Sequence, residues 1–244
     1  MKTTDCHWEI DNIGKKTIEL MFSKEDRFSP DDVAKACEGY EYLVAKVQTG
    51  NVESLFGLQS MGFKVIETQI NISKRYNDFD FNDRLLKFFS DNLLFTEITD
   101  LKGMEHILSS ISSNMFITDR VYLDPHLGPK LGLNRYRNWI RSEFQKGAFL
   151  FEFIYRGKNI GFCLFRKISD EIADVFLAGI YEQYQHLGYG ILTASSIFLY
   201  CRAHNINIKK MLTSISSNNT PVVQIYNYLQ FKVDSMSYVL VKHQ

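Results

Sequence analysis

The chain has 244 residues, 45% hydrophobic and 23% charged, enough apolar material for one large domain or two small ones that fold without metals or crosslinks. Lys plus Arg number 28 and Asp plus Glu number 28. That zero formal net charge excludes a polybasic coat for nucleic acid or anionic lipid, so any anion bound here must be held locally.

The four cysteines, Cys6, Cys37, Cys163 and Cys201, lie far apart and make neither a metal knuckle nor a disulfide ladder; they read as reduced thiols. Residues 1–5 carry a lysine but lead to Trp8 and Glu9 rather than to an apolar run, which argues against export. The longest apolar stretches, 148–151 and 191–200, fall short of the ~20 residues of a membrane-spanning helix. The expectation is a soluble, cytoplasmic protein with no membrane or nucleic-acid partner. Its 19 Phe and 13 Tyr predict an aromatic-rich core.

In chain order, residues 17–22 alternate as a strand, and Ser29-Pro30-Asp31-Asp32 reads as a cap, a proline in the first turn and acidic residues favouring a helix start. A strand at 42–47, a helix at 51–61 and a strand at 64–72 follow, with Gly62-Phe63 as the turn. The polar segment 73–82 has no clean period and is taken as the junction between domains 1–80 and 81–244. The second part predicts a strand at 94–98 and a helix capped by Asp100 with Met104, Ile107, Leu108 and Ile111 on one face. A helix at 135–144 and a hairpin of 148–155 and 160–168 follow, and then a strand at 174–180. A helix at 190–203, a strand at 210–214, a helix at 221–229 and a strand at 233–241 complete an α/β (α+β) arrangement with a mixed sheet.

Two segments carry chemistry. Gln185-His186-Leu187-Gly188-Tyr189-Gly190 enters a helix through two glycines, so several backbone N–H groups can converge where the helix dipole is positive. Phosphate oxygens suit such a point, although paired glycines also serve as ordinary turn and packing devices. The spacing fits neither G-x-G-x-x-G nor a P-loop. In the second segment, 219–231, Asn219 can cap a helix and Pro221 suits its opening turn, while Tyr226 is either a buried, satisfied phenol or a proton donor to a departing thiolate.

Strand, Gln185-x-x-Gly188-x-Gly190, helix, strand, Asn219 and Tyr226-x-x-x-x-Phe231 together resemble the core of the GCN5-related N-acetyltransferase (GNAT) superfamily over residues 90–244. The resemblance implies a GNAT fold with a largely antiparallel central sheet and acetyl-CoA as cosubstrate, without a metal. It assigns the pyrophosphate to Gln185, His186, Leu187, Gly188, Tyr189 and Gly190, and the pantetheine arm to a splayed strand at Phe176, Leu177 and Ala178. Asn219 matches the family's asparagine and Tyr226 its frequent catalytic tyrosine. Gln230 departs from the usual glycine before phenylalanine.

Trp8, Gly14, the strand at 42–47, Asn51, Leu55, Leu58 and Gly62-Phe63 resemble the extra domain of two-domain dTDP-fucosamine acetyltransferases. Asp119-Arg120, Asp124-Pro125 and Tyr136-x-x-Trp139 extend that likeness. It implies transfer of acetyl to the 4-amino group of a nucleotide-linked deoxyhexose, with Arg120, Tyr122 and Arg135 as acceptor contacts. Asn51 with Gly62-Phe63 repeats the spacing of Asn219 with Gln230-Phe231, so the first part reads as a worn, truncated GNAT-like copy serving the sheet, the acceptor pocket or a homodimer contact.

Asp174, Glu182 and His186 are candidate bases for deprotonating the amine, beside water relayed to a further group. Cys163 and Cys201 read as core thiols, His7 and His106 lack metal-ligand spacing, and Lys209-Lys210 reads as a solvated strand start. The rival readings are acylation of another amine, including a protein N-terminus, and a ligand-binding domain without turnover.

Overall fold

The computed structural model of the chain describes residues 1–90 and 92–244, the Ser90 side chain excepted. The first half contains β1 (Lys2–Asp5), α1 (Glu9–Ile13), β2 (Thr17–Phe22), α2 (Pro30–Ala36), β3 (Tyr42–Gln48), α3 (Val52–Ser60) and β4 (Lys64–Arg75). Then come α4 (Arg84–Ser90), β5 (Leu93–Ile98), α5 (Leu101–Ser110), α6 (Arg120–Leu123), α7 (Pro129–Gln145), β6 (Phe149–Tyr155) and β7 (Lys158–Ser169). The chain ends with β8 (Ile172–Ile180), α8 (Ile191–Ala203), β9 (Lys210–Ser216), α9 (Thr220–Tyr228) and β10 (Lys232–His243).

Local chemistry sets many of these boundaries. The side chains of Ser29, Asn51, Asp100 and Asn219 each accept a backbone N–H three residues on, satisfying one orphan donor at the heads of α2, α3, α5 and α9. Arg156 and Gly157, both at positive φ, make the two-residue turn between β6 and β7. Sequence periodicity missed β1, α1, α4 and α6, which are short. The polar 73–82 segment begins inside β4, which runs to Arg75. Helix α7 starts at Pro129 rather than at 135, because Gly128 at φ 89° lets the chain turn in and Pro129 suits the first turn.

All ten strands form one mixed sheet in the order β1-β2-β3-β10-β4-β9-β8-β7-β6-β5. Among the described residues, only β2–β3 and β8–β9 are parallel. The last strand does not lie at the end of its own half. β10 pairs with β3, β4 pairs with β9, and the two exchanged strands pair with each other. Adding 168 to a residue number in β3 or β4 gives its counterpart in β9 or β10: Gln48↔Ser237 answers Ser216↔Gln69, and Tyr42↔His243 answers Lys210↔Arg75. The irregularities between β10 and β4 obey the same relation, one at Val233/Ser235 and one at Val239/Leu240.

The faces of the sheet are buried by different helices. α8 is apolar nearly all round and packs on β6–β9, where Tyr200 stacks on Phe151 with centroids 4.1 Å apart. α5 and α7 cover Leu150, Phe162, Leu164 and Leu177. In the first half, Leu20, Leu43, Ala45 and Leu58 share a core with Leu240 of the exchanged strand, whereas Tyr42, Val44 and Val239 pack with Val121 of α6. Alternate residues of β3 therefore enter different cores, which explains its unbroken apolar run.

Since Leu240 is 0% exposed in the first half's core, Leu240→Ala should cost about 2–5 kcal/mol of unfolding free energy. Chemical denaturation checks this; a loss below about 1 kcal/mol would mean that β10 does not complete that core.

Candidate active site

The parallel pairs β2–β3 and β8–β9 differ where it matters. β2 stays registered with β3 from Thr17↔Tyr42 to Phe22↔Val47. β8 is registered with β9 only from Ile172↔Lys210 to Val175↔Thr213, and then the strands part. The parting coincides with an irregularity between β7 and β8: Phe165 faces Val175, but Leu164 faces Leu177, so Phe176 is the extra residue. A bulge bends its strand and increases local twist. Past it, Phe176, Leu177 and Ala178 keep β7 on one side while their other edge faces an opening.

The loop 185–190 lies at the end of β8. His186 is at φ 63° and Gly188 at φ 84°. Gly190 heads α8 with no side-chain cap. Among the described residues, the backbone amides of His186, Leu187, Gly188, Tyr189 and Gly190 donate no hydrogen bond within the protein. Left-handed residues between right-handed or extended ones turn successive N–H groups to the same side, making a concave anion cradle at the positive end of α8. Gln185 fastens the loop by donating from Nε2 to the Ile180 carbonyl at 3.3 Å.

A side chain on Gly190 would meet Ile225 Cδ1 at 3.0 Å. The first half reverses these sizes. Gly57 stands 168 residues before Ile225, and a Cβ there would lie 2.3 Å from the Phe28 ring just ahead of α2. An aromatic ring thus packs near that helix start, and the adjoining strands remain paired.

A cavity of about 1240 Å³ runs through the parting of β8 and β9. Tyr226, Asn219, Val222 and Thr193 line it from the α8/α9 side, together with residues 175–178 of β8 and 213–216 of β9. Tyr226 is 6% exposed. Burial, aided by proximity to Cys163 and only partly offset by Thr213, raises its pKa above the ordinary phenol value. The phenol is therefore protonated at neutral pH and can donate. Asn219 holds α9 through its cap, its side chain accepting from Val222 N–H at 3.3 Å.

On the other face, Trp8, Phe116, Tyr136 and Trp139 give the cavity an aromatic wall. Phe116 stacks on Tyr136 and Trp139 on Phe176. Arg120 and Arg135 line this part, and both guanidiniums are ion-paired within the protein, although Arg120 Nε has no hydrogen-bond partner among the described residues. Arg120 Nη2 and Arg135 Nε donate to Glu9 Oε1 at 3.1 and 2.9 Å, and Arg135 Nη1 donates to Asp119 Oδ2 at 3.2 Å. Asn12 donates to the second Glu9 oxygen. Tyr122 does not line the cavity and stands beside Gly132 of α7. The arginines that sequence reading assigned to acceptor phosphates are thus bound to carboxylates of the protein itself.

The candidate bases disperse. Asp174 lines the cavity but accepts from Arg166 at 3.0 Å. Glu182 accepts from Asn114, and neither it nor His186 lines the cavity. Cys163 and Cys201 are buried, and burial raises both thiols, Cys201 to about 12, so neither is a nucleophile. Among the described residues, no group of three or more His, Cys, Asp or Glu could hold a metal, and no helix is long and apolar enough to cross a membrane. Sequence reading missed Trp139 as a wall residue and Glu67 and Gln69 of β4 as lining residues. A signal for β4 existed: Glu67, Gln69 and Asn71 alternate with Ile66, Thr68 and Ile70, an arrangement that in an interior strand indicates a polar cavity rather than solvent.

No family profile and no curated protein matches the sequence. Solved structures do match. A GCN5-related N-acetyltransferase from Kribbella flavida aligns with a TM-score of 0.58 at 13% identity, over 93% of this chain and 80% of its own. The fold is that of the GCN5-related N-acetyltransferases. A tandem GNAT protein from the clavulanic acid biosynthesis pathway aligns at 0.55 and 12% identity over 88% of this chain and 67% of its own. A functionally unknown conserved protein from Staphylococcus epidermidis gives 0.61 and 11%, over 93% and 84%.

Glu9 is 1% exposed. Burial pushes its carboxyl up, but Arg135 and Arg120 more than reverse this and hold it below its ordinary value. Glu9→Ala would leave two partly buried cations short of a partner and should cost about 3 kcal/mol. Because the folded carboxyl has the lower pKa, Glu9's contribution is present above pH 4.5 and lost as pH falls through the folded value. Denaturation of wild type and Glu9→Ala should therefore converge in acid; a gap unchanged down to pH 2 would contradict the ion-pair account.

Proposed function

We propose that the protein is an acetyl-CoA-dependent N-acetyltransferase that passes the acetyl group directly to a small primary amine. The observation that carries this reading is the parting of β8 from β9, with Tyr226 in the cavity that runs through it and the unbonded amides of 186–190 at the head of α8. The cradle suits the pyrophosphate. The free edge of Phe176, Leu177 and Ala178 offers backbone hydrogen bonds to the pantetheine amides, and the thioester would lie in the gap.

The chemistry asks for three things: a neutral amine near the thioester carbon, a donor for the developing oxyanion and a proton for the thiolate. A backbone N–H of Leu177 or Ala178 supplies the second and Tyr226 the third. The reaction needs no acyl-enzyme, in keeping with the inert thiols.

The acceptor proposed from the sequence resemblance is the 4-amino group of a nucleotide-linked deoxyhexose. Its diphosphate would need the cations that Glu9 and Asp119 hold. The lining has seven carboxylates against five Lys and Arg, which favours a cationic amine without phosphates over a nucleotide sugar. In this reading, residues 1–80 form a worn GNAT-like domain whose retained role is to wall the acceptor side with Trp8, Glu9 and Lys46.

Calorimetry should detect acetyl-CoA binding to wild type and at least a tenfold loss in Gly188→Val, which puts a side chain into the cradle at positive φ. Equal affinity would remove the phosphate cradle. Tyr226→Phe should lower kcat by about a hundredfold at unchanged acetyl-CoA affinity. Normal turnover across the pH range would show that Tyr226 is not the acid.

A further inference from the structure

An amine acceptor is protonated at neutral pH, so the site needs a base, and the candidates read from the sequence are either ion-paired or outside the cavity. The seven lining carboxylates can be sorted by partner. Glu9 is held by Arg120 and Arg135, Glu19 by Lys46, Asp119 by Arg135, Glu143 by Lys146 and Arg166, and Asp174 by Arg166. Among the described residues, two remain outside any ion pair. Asp11 is exposed to solvent on α1. Glu67 is on β4, an interior strand.

The strand exchange puts Glu67 where a base is needed. β4 is registered with β9 up to Gln69↔Ser216, so Glu67 follows at the end where β9 has parted from β8. Lys46 and Glu67 are registered with the same residue, Val239 of the intervening β10, and both line the cavity. Tyr226 approaches from the helix on the other face. Base and acid would then flank the thioester from opposite sides of the sheet.

Resting on the acetyltransferase reading above, we propose that Glu67, supplied by the first half of the chain through its exchanged strand, is the general base of the reaction. The carboxylate takes one proton from the bound R–NH3+, and the resulting R–NH2 attacks the thioester carbon to form the C–N bond. As the C–S bond breaks, the thiolate takes the Tyr226 proton, and the second nitrogen proton returns through water to Tyr226. Glu67 releases its proton to solvent. The sum is R–NH3+ and acetyl-CoA giving R–NH–acetyl, CoA-SH and one H+.

The groups facing Glu67 are Lys46 of β3, Ser216 of β9, Arg120 of α6, Asp119 at its head and Tyr136 of α7. Burial raises the Glu67 pKa above its ordinary 4.5; Ser216 and Arg120 offset this in part, Asp119 adds to it and Lys46 opposes it weakly. A carboxylate whose pKa is raised is a stronger base once ionised.

The test uses the full chain, Glu67→Gln and Glu67→Asp, assayed for CoA release with a panel of alkyl diamines, arylalkylamines and nucleotide-linked 4-aminosugars. Calorimetry of acetyl-CoA and thermal melts accompany it. With the best amine, Glu67→Gln should lose about a hundredfold in kcat/KM, bind acetyl-CoA as wild type does and melt no lower, because the amide has no charge to desolvate. Wild type should show an acid limb above pH 4.5 followed by a plateau. Glu67→Gln should lose that plateau and rise with pH as the free amine does, and Glu67→Asp should restore part of the rate. Turnover within threefold of wild type with the acid limb intact would overturn the assignment while leaving the acetyltransferase reading standing. Acetyl-CoA binding with no turnover of any amine would overturn both.

Discussion

The structure depends on a place where backbone pairing stops. Parallel strands β8 and β9 are registered for four residue pairs and then separate beyond Val175↔Thr213, leaving main-chain groups of both strands without each other. Buried, unpaired amides and carbonyls cost free energy, so a gap of this kind survives only when its flanks hold it. Both do. β8 is tied to β7 beyond the parting, and β9 is paired with β4 from Arg75↔Lys210 to Gln69↔Ser216. The exchange of β4 and β10 is thus a clamp as well as a join, because it places a firmly registered strand on the far side of the opening.

The internal repetition shows what separates an open gap from ordinary sheet. β3-α3-β4 and β9-α9-β10 share lengths, caps and register. They differ in a few places: β2 and β3 stay paired, Phe28 packs against Gly57 where Ile225 packs against Gly190, and Leu58 stands in place of Tyr226. Such local substitutions separate a closed, apolar unit from one with unbonded loop amides, an open strand edge and a buried tyrosine.

Much of this was legible in the sequence, for identifiable reasons. Caps at Ser29, Asp100 and Asn219 are encoded within four residues, and the loop 185–190 announces itself through its glycines and the helix after it. Positions set by distant partners were not legible. Nothing near Arg120 or Arg135 indicates that Glu9, more than 100 residues earlier, occupies both. Nothing near β10 indicates that it crosses into the first half. Glu67 acquires its role only from that crossing, since the strand exchange brings β4 against β9. A chain with no net charge accordingly builds its fields locally, as unbonded amides at the head of α8 and an excess of carboxylates in the cavity lining.

The central claim is that the opened edge of β8 and the amides of 186–190 receive acetyl-CoA. Amide hydrogen exchange of the free protein and of the protein with saturating CoA tests it most directly, because the claim concerns named backbone N–H groups. Slowed exchange in peptides covering 176–178 and 186–191, with little change in β1–β3, is the expected result. Unchanged exchange at both segments would contradict the account.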